Sequence, residues 1–363
     1  MGREDPISVA ILGLGRSGYG IHCRWLSRQS NSFRIVAVAD LLADRRARAA
    51  REFHCEAVSD FKTLLGRKDI ELVVNALPSH LHPAISATVL RNGHHVVCEK
   101  PVAWRTADFD RTVAVARRAR RRFVPFQQRR FSPFFEKIRS VIESGVLGEI
   151  VAINLTFSNF ARRWDWQTLR EFKGGALLNT GPHPLDMALC LLGFKKPEKI
   201  FCVMRHANSA GDAEDHVKLV LSSSKKPVVD IEISSCVGFP GETFAVNGSL
   251  GSLVGGSAGL RWRYYDPRQA PELQLVRQPI PGPAYCSEEL RFVERNWHPR
   301  GRQVDEFSYM CERFYRQLYD SLRSGSPLPI EPRQIRVLVQ VLEECQRQSR
   351  LCKLPVEGWP DPD

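Results

Sequence analysis

ISVAILGLGRSGYG, residues Ile7 to Gly20, opens with six mostly apolar, β-prone residues, Ile7 to Leu12. That is the pattern of a strand buried on both faces. Gly13, Gly15 and Gly18 follow in GxGxxG spacing, and Ile21, Trp25 and Leu26 then mark a helix. Strand, glycine turn and helix in this order suit a dinucleotide. The first glycine allows the tight turn, the second lets a pyrophosphate approach the backbone, and the third lets helix and strand pack closely. Free N–H groups at the helix start face the phosphates. Leu14, Arg16 and Ser17 fill the loop between the glycines. A second apolar run, Phe33 to Ala39, ends in Asp40, 22 positions after Gly18. An acid there binds the adenosine ribose hydroxyls and repels a 2′-phosphate, so the expected cofactor is NAD rather than NADP.

Beyond this unit, strands and helices alternate. Helices are expected over Ala43–Phe53, His80–Asn92 and Thr106–Arg118, and strands over Ile70–Leu77, His94–Cys98 and Phe123–Phe126. The alternation implies a doubly wound parallel sheet with helices on both faces. In such sheets ligands bind beyond the carboxyl ends of the strands. Gly13, Asp40, Pro78 and Lys100 all fall at such ends. The pattern changes after Gln127. Helices are expected over Phe131–Ser144 and Pro182–Leu192. Successive strand-like runs, among them Glu149–Phe157, Val217–Ser222 and Val228–Ser234, imply an open, mainly antiparallel sheet. Pro267–Pro299 reads as a long loop over the site or against a partner chain, and Val304–Ser324 and Pro332–Ser349 as helices. The expected division is therefore residues 1–127, a Rossmann domain, and 128–363, an α+β domain for substrate binding and oligomerisation.

The 363 residues are 43% hydrophobic and 25% charged, an ordinary globular composition. No apolar run is long enough to span a membrane. No signal peptide is evident in MGREDP. The ten cysteines include no CxxC pair and read as thiols in a reducing cytoplasm. No His, Asp or Glu set has metal-ligand spacing, so no metal is expected. The net charge of +12 suits an anionic cofactor. The basic run Arg117–Arg122 reads as a solvated helix end, and no nucleic-acid fold motif accompanies it.

Four ordered motifs resemble the glucose–fructose oxidoreductase/inositol dehydrogenase (Gfo/Idh/MocA) family across nearly the whole chain. They are GLGRSG at Gly13–Gly18, LPSHLH at Leu77–His82, EKP at Glu99–Pro101, and GGALLNTGPHPLD at Gly174–Asp186. GDAEDHVKLVL, Gly211–Leu221, fits the start of a strand in the second domain. The resemblance implies an NAD-dependent oxidoreductase, commonly a dimer or tetramer, oxidising a ring hydroxyl of a sugar, glycoside or cyclitol. It implies His183 as general base and Lys100 as the cation that polarises the substrate oxygen, with the two roles exchangeable. Leu77, Pro78, His82, Glu99 and Gln128 are implied at the cofactor. Arg130, Arg163, Trp164, Trp166 and Asn179 are implied at the substrate. Tyr19 and His22 are placed near the nicotinamide. Asp186 either orients His183 from one helical turn away or packs. Asn179 departs from the acid usual at its position; an amide binds a hydroxyl but accepts no proton. A redox-neutral glycosidase and a non-catalytic NAD-binding regulator are the alternatives; retention of Lys100 and His183 speaks against the regulator.

Overall fold

A computed structural model describes residues 5–280, 282, 285–348 and 352–353. The first sheet holds β1 (Ile7–Leu12), β2 (Phe33–Ala39), β3 (Glu56–Val58), β4 (Leu72–Asn75), β5 (His95–Cys98) and β6 (Phe123–Pro125). Their order is β3-β2-β1-β4-β5-β6 and every pairing is parallel. This is the doubly wound order whose reversal between β1 and β4 opens a crevice at the carboxyl ends of those strands. All six residues of β1 are buried, as the unbroken apolar run requires. The connections carry α1 (Arg24–Leu26), α2 (Ala43–Phe53), α3 (His82–Arg91) and α4 (Thr106–Arg118). A π-helical segment, Gly18–Cys23, precedes α1. β1 and β2 coincide with their apolar runs, while β4, β5 and β6 are one to four residues shorter than theirs.

The second sheet contains β7 (Ile150–Ser158), β8 (Lys199–His206), β9 (His216–Ser222), β10 (Val228–Ser234), β11 (Phe244–Gly248), β12 (Gly251–Gly256), β13 (Gly259–Tyr265), β14 (Phe292–Trp297) and β15 (Cys352–Lys353). Its order is β14-β13-β12-β11-β7-β10-β9-β8-β15. Only the β10–β7 and β15–β8 pairs are parallel among the described strands. One face is covered by α5 (Pro133–Glu143), α7 (Pro182–Leu191) and α9 (Pro332–Gln348). The short α6 (Ala176–Asn179) precedes α7. Strict alternation of burial along β9 marks a sheet with one covered face.

One expectation is corrected. Pro267–Pro299 is not all loop: β14 pairs antiparallel with β13, from Leu260 opposite Trp297 to Tyr265 opposite Phe292. The C-terminal helices also return to the first sheet. Within α8 (Glu306–Ser324), Tyr315 packs edge-on against Phe33 and Arg323 hydrogen-bonds the Glu71 carboxylate. From α9, Arg336 pairs with Asp110 and Glu343 accepts from Thr106.

Candidate active site

Between the two sheets lies a cleft of about 490 Å³. Its floor is built from strand ends. At the end of β1, Gly13 has φ +86°, and a Cβ there would stand 2.7 Å from the Ala76 carbonyl. A Cβ on Gly18 would overlap the Gly13 carbonyl, so helix and turn meet closely only as glycines. At Gly15 a Cβ would meet nothing nearer than Arg45 Nη1, 3.9 Å away. That side of the turn is open, as a pyrophosphate requires. Asp40, past β2, accepts the Leu14 N–H at 2.7 Å and the Leu42 N–H at 2.9 Å. The carboxylate thus stands oriented beside the turn, with Arg45 Nη1 3.5 Å away. These residues fit the adenosine and pyrophosphate parts of NAD.

Leu77, Pro78 and Ser79, past β4, form the next wall. His82 touches the cleft, but its ring nitrogens lie 2.8 Å from the Pro101 carbonyl and 2.7 Å from the Leu77 carbonyl. It braces two loops, and burial lowers its pKa. Past β5, Glu99 faces the cleft; its Oε1 lies 3.3 Å from His22 Nε2, and its Oε2 accepts the Lys100 N–H at 3.1 Å. Burial raises the Glu99 carboxyl, yet His22 and Lys100 hold it below the usual range overall.

Lys100 is the junction with the second sheet. Its Nζ donates to the Asn179 carbonyl at 2.7 Å and lies 3.4 Å from Asn179 Oδ1. Burial pushes the ammonium down from the ordinary lysine value; Glu99 opposes this, and Arg16, Arg129 and Arg163 add to it. His183, four residues after Asn179, sits at the start of α7, half-buried, with Nδ1 buried and unpartnered. Burial, then Lys100, Arg129 and Arg16, depress its pKa well below the usual histidine value, so the ring is neutral. Opposite Lys100, Arg163 and Trp166 line the cleft, with Arg163 fixed by Asp165 and Gln167.

Several expected residues stand elsewhere. Arg130 is buried in a two-armed pair with Asp186, at 3.0 and 2.5 Å, and does not line the cleft. Asp186 is therefore spent on Arg130 rather than on orienting His183. Trp164 is 83% exposed and outside the cleft. Gln128 is buried, its Oε1 unpartnered, and does not line the cleft. Leu14 and Gly18 are buried under the turn they shape. His22 is wholly buried against Tyr315 and Glu99, and Tyr19 hydrogen-bonds Glu52 outside the cleft. No described residue of 267–299 lines the cleft. Arg129 was missed: in the run QQRR the neighbours were chosen, but its guanidinium is the one that bears on Lys100 and His183. Arg45 also lines the cleft; the sequence signal was its place five residues after Asp40.

Comparison with known proteins agrees with this architecture. Residues 7–126 match the oxidoreductase family with an NAD-binding Rossmann fold, and residues 135–254 match the GFO/IDH/MocA C-terminal domain. The dTDP-3,4-didehydro-2,6-dideoxy-alpha-D-glucose 3-reductase of Streptomyces violaceoruber is 34% identical over 161 residues, 44% of this chain and 46% of the relative. The 2,7-anhydro-N-acetylneuraminate hydratase of Escherichia coli is 26% identical over 257 residues, 68% of this chain and 67% of the relative. The chain spans about half the length of the first curated relatives it matches. The structure of KijD10, a 3-ketoreductase from Actinomadura kijaniata in complex with NADP and TDP-benzene, shares the fold: TM-score 0.76, 19% identity, 97% of this chain and 100% of that one. Two domains matched in order, over residues 7–126 and 135–254, place the chain in the GFO/IDH/MocA family of oxidoreductases, with an N-terminal NAD-binding Rossmann domain.

Proposed function

We propose that the protein is an NAD-dependent dehydrogenase that oxidises a secondary hydroxyl on the ring of a sugar, glycoside or cyclitol to a ketone. The supporting observation is the Lys100 amine, held at the Asn179 carbonyl where the dinucleotide cleft meets the second sheet. NAD held in this cleft would supply the hydride acceptor for the carbinol carbon. The hydroxyl proton needs an acceptor close to that carbon. Lys100 suits this task by its place at the end of the cleft, and burial and three arginines lower its hold on the proton, against the opposing Glu99. We assign it the proton and leave His183 as a neutral partner beside it, the exchanged form of the roles expected from sequence. Asn179 Oδ1, Arg163 and Trp166 then hold the ring and its hydroxyls. The names of the 3-reductase and 3-ketoreductase relatives support the third ring carbon as the site of oxidation. Self-association is assigned to the open face of the second sheet, where Val151, Phe201 and Val228 are exposed.

A single-turnover experiment tests this reading. The protein with stoichiometric NAD is mixed with pyranosides, glycosides and inositols, and nicotinamide absorbance is followed. Reduction is expected with at least one ring polyol, falling at least about 100-fold in Lys100→Met while NAD affinity is retained. Unchanged reduction in that variant removes Lys100 from the chemistry. The hydratase relative supports a second, redox-neutral reading. Reduction that rises and then reverses within one turnover would select it.

A further inference from the structure

Behind Asn179 the cleft continues into a smaller chamber of about 60 Å³, which shares Arg163, Gln167 and Asn179 with it. This holds a few waters or a hydroxymethyl arm, not a ring. The walls are polar: Asn159, Thr180, Ser209, Ser234 and Ser235 all contribute. Two acids border it, and they are not equivalent. Asp215 is consumed by the fold, accepting the Ala207, Asn208 and Ser209 N–H groups at 2.8–2.9 Å. Glu214 is 7% exposed; its Oε1 accepts the Leu177 N–H at 2.9 Å, and its own backbone N–H also favours the carboxylate. Its Oε2 has no hydrogen-bond partner among the described residues, and no cation lies within 4 Å of the carboxylate. Gly175, with φ +98°, makes room for this acid, since any Cβ there would overlap the Glu214 carboxylate. With Oε2 not committed to the fold, a donor that reaches into the chamber can be taken up there.

We propose that Glu214 is a specificity residue, whose free oxygen accepts a hydrogen bond from a hydroxyl or hydroxymethyl group of the bound sugar or cyclitol reaching into the chamber. This rests on the dehydrogenase reading for the class of ligand, and on the chamber alone for the contact. Burial raises the carboxyl to about 7; the backbone N–H groups of Glu214 and Leu177, and then Arg170, oppose this, and Asp215 adds to it. The other charged groups around it are Arg163 on the chamber side and Glu171, Lys173 and Asp212 on the far side. Below pH 7 the acid is protonated and holds the hydroxyl weakly; above it the carboxylate holds it firmly. Substrate affinity therefore rises with pH through this range.

The test compares wild type with Glu214→Gln, which keeps an oxygen for the Leu177 N–H and removes the charge. The ligands are a ring polyol and its deoxy analogues, each lacking one hydroxyl. Both kcat/KM and calorimetric binding to the NAD-loaded protein are measured. One deoxy analogue is expected to lose about 10- to 100-fold in wild type, mainly in KM and Kd. Glu214→Gln is expected to lose as much on the parent polyol, nothing further on that analogue, and its pH dependence of Kd near 7. A variant that discriminates every analogue as wild type does, with the same pH profile, overturns the proposal. Calorimetry separates the two readings. Discriminating binding without NAD reduction keeps the Glu214 contact and removes the dehydrogenase, and reduction without Glu214-dependent discrimination does the reverse. If no ring polyol binds, both fall.

Discussion

Asp186 lies three residues after His183, yet its carboxylate turns away from the histidine and takes both arms of Arg130. Gln334 accepts from the same guanidinium, and the Phe194 ring lies 4.6 Å from it. Removing one member of a buried pair leaves a charge stranded in low dielectric, which costs about 3–5 kcal/mol. Asp186→Ala is therefore expected to lower the urea midpoint strongly while the folded fraction keeps its kcat. A collapse in kcat at unchanged stability would instead return Asp186 to the His183 side. Sequence spacing placed His183 and Asp186 one helical turn apart correctly. It carried no sign of Arg130, 56 positions upstream, as the competing partner. Glu214 was hidden for a similar reason. Within GDAEDHVKLVL it reads as a polar residue before a strand, and its burial follows from α6 folding over it. What was legible at this scale were residues whose role is local: the glycines of the turn, Asp40 at a strand end, and Lys100 beside Pro101.

The elements were legible wherever a period or an unbroken apolar run defines them. The helix α4 runs over Thr106–Arg118 as expected, and β10 over Val228–Ser234. The strand β14 was not, because FVERNW has no alternation and its one neighbour, β13, is separated from it in the chain by residues 266–291. The amphipathic pattern of α8 shows that it buries a face, but not against which sheet. The answer lies in one buried chain of contacts. The π-helical segment turns His22 inward, under Phe126, where its Nδ1 lies 2.5 Å from the Tyr315 hydroxyl. With the hydroxyl donating to Nδ1, the Nε2 proton is left to point at Glu99, so a single neutral tautomer satisfies the whole chain. The last helix but one thereby fixes the carboxylate that faces the cleft. Tyr315→Phe is expected to cost about 1–3 kcal/mol of stability by leaving the imidazole nitrogen unpaired. It should also weaken NAD severalfold in a fluorescence titration, because Glu99 loses its fixed neighbour. Lower stability at an unchanged NAD affinity would confine Tyr315 to packing.

At the scale of the molecule, the net charge of +12 is readable at once, but its arrangement is not. Folding gathers Arg16 and Arg45 from the first sheet's loops, Lys100 from the end of β5, and Arg163 from the second sheet onto one cleft. Against them stand Asp40, Glu99 and Asp165. The acids are held by near neighbours: Asp40 by two backbone N–H groups and Arg45, Glu99 by His22, and Asp165 by Arg163. Arg16 has no carboxylate within 4 Å among the described residues, and it stands beside the open glycine turn. An approaching pyrophosphate therefore meets an unpaired guanidinium within a positively charged molecule. Such a field speeds encounter more than it strengthens the final contact. The range of the field is set by salt, about 30 Å at 0.01 M and about 8 Å at 0.15 M. Stopped-flow mixing with NAD is thus expected to show an association rate falling severalfold across that range, with the dissociation rate nearly constant. Arg16→Gln should flatten the salt dependence at low salt. If salt acts instead on dissociation, the arginines grip the bound phosphates rather than gather them, and the cleft's charge belongs to affinity rather than to capture.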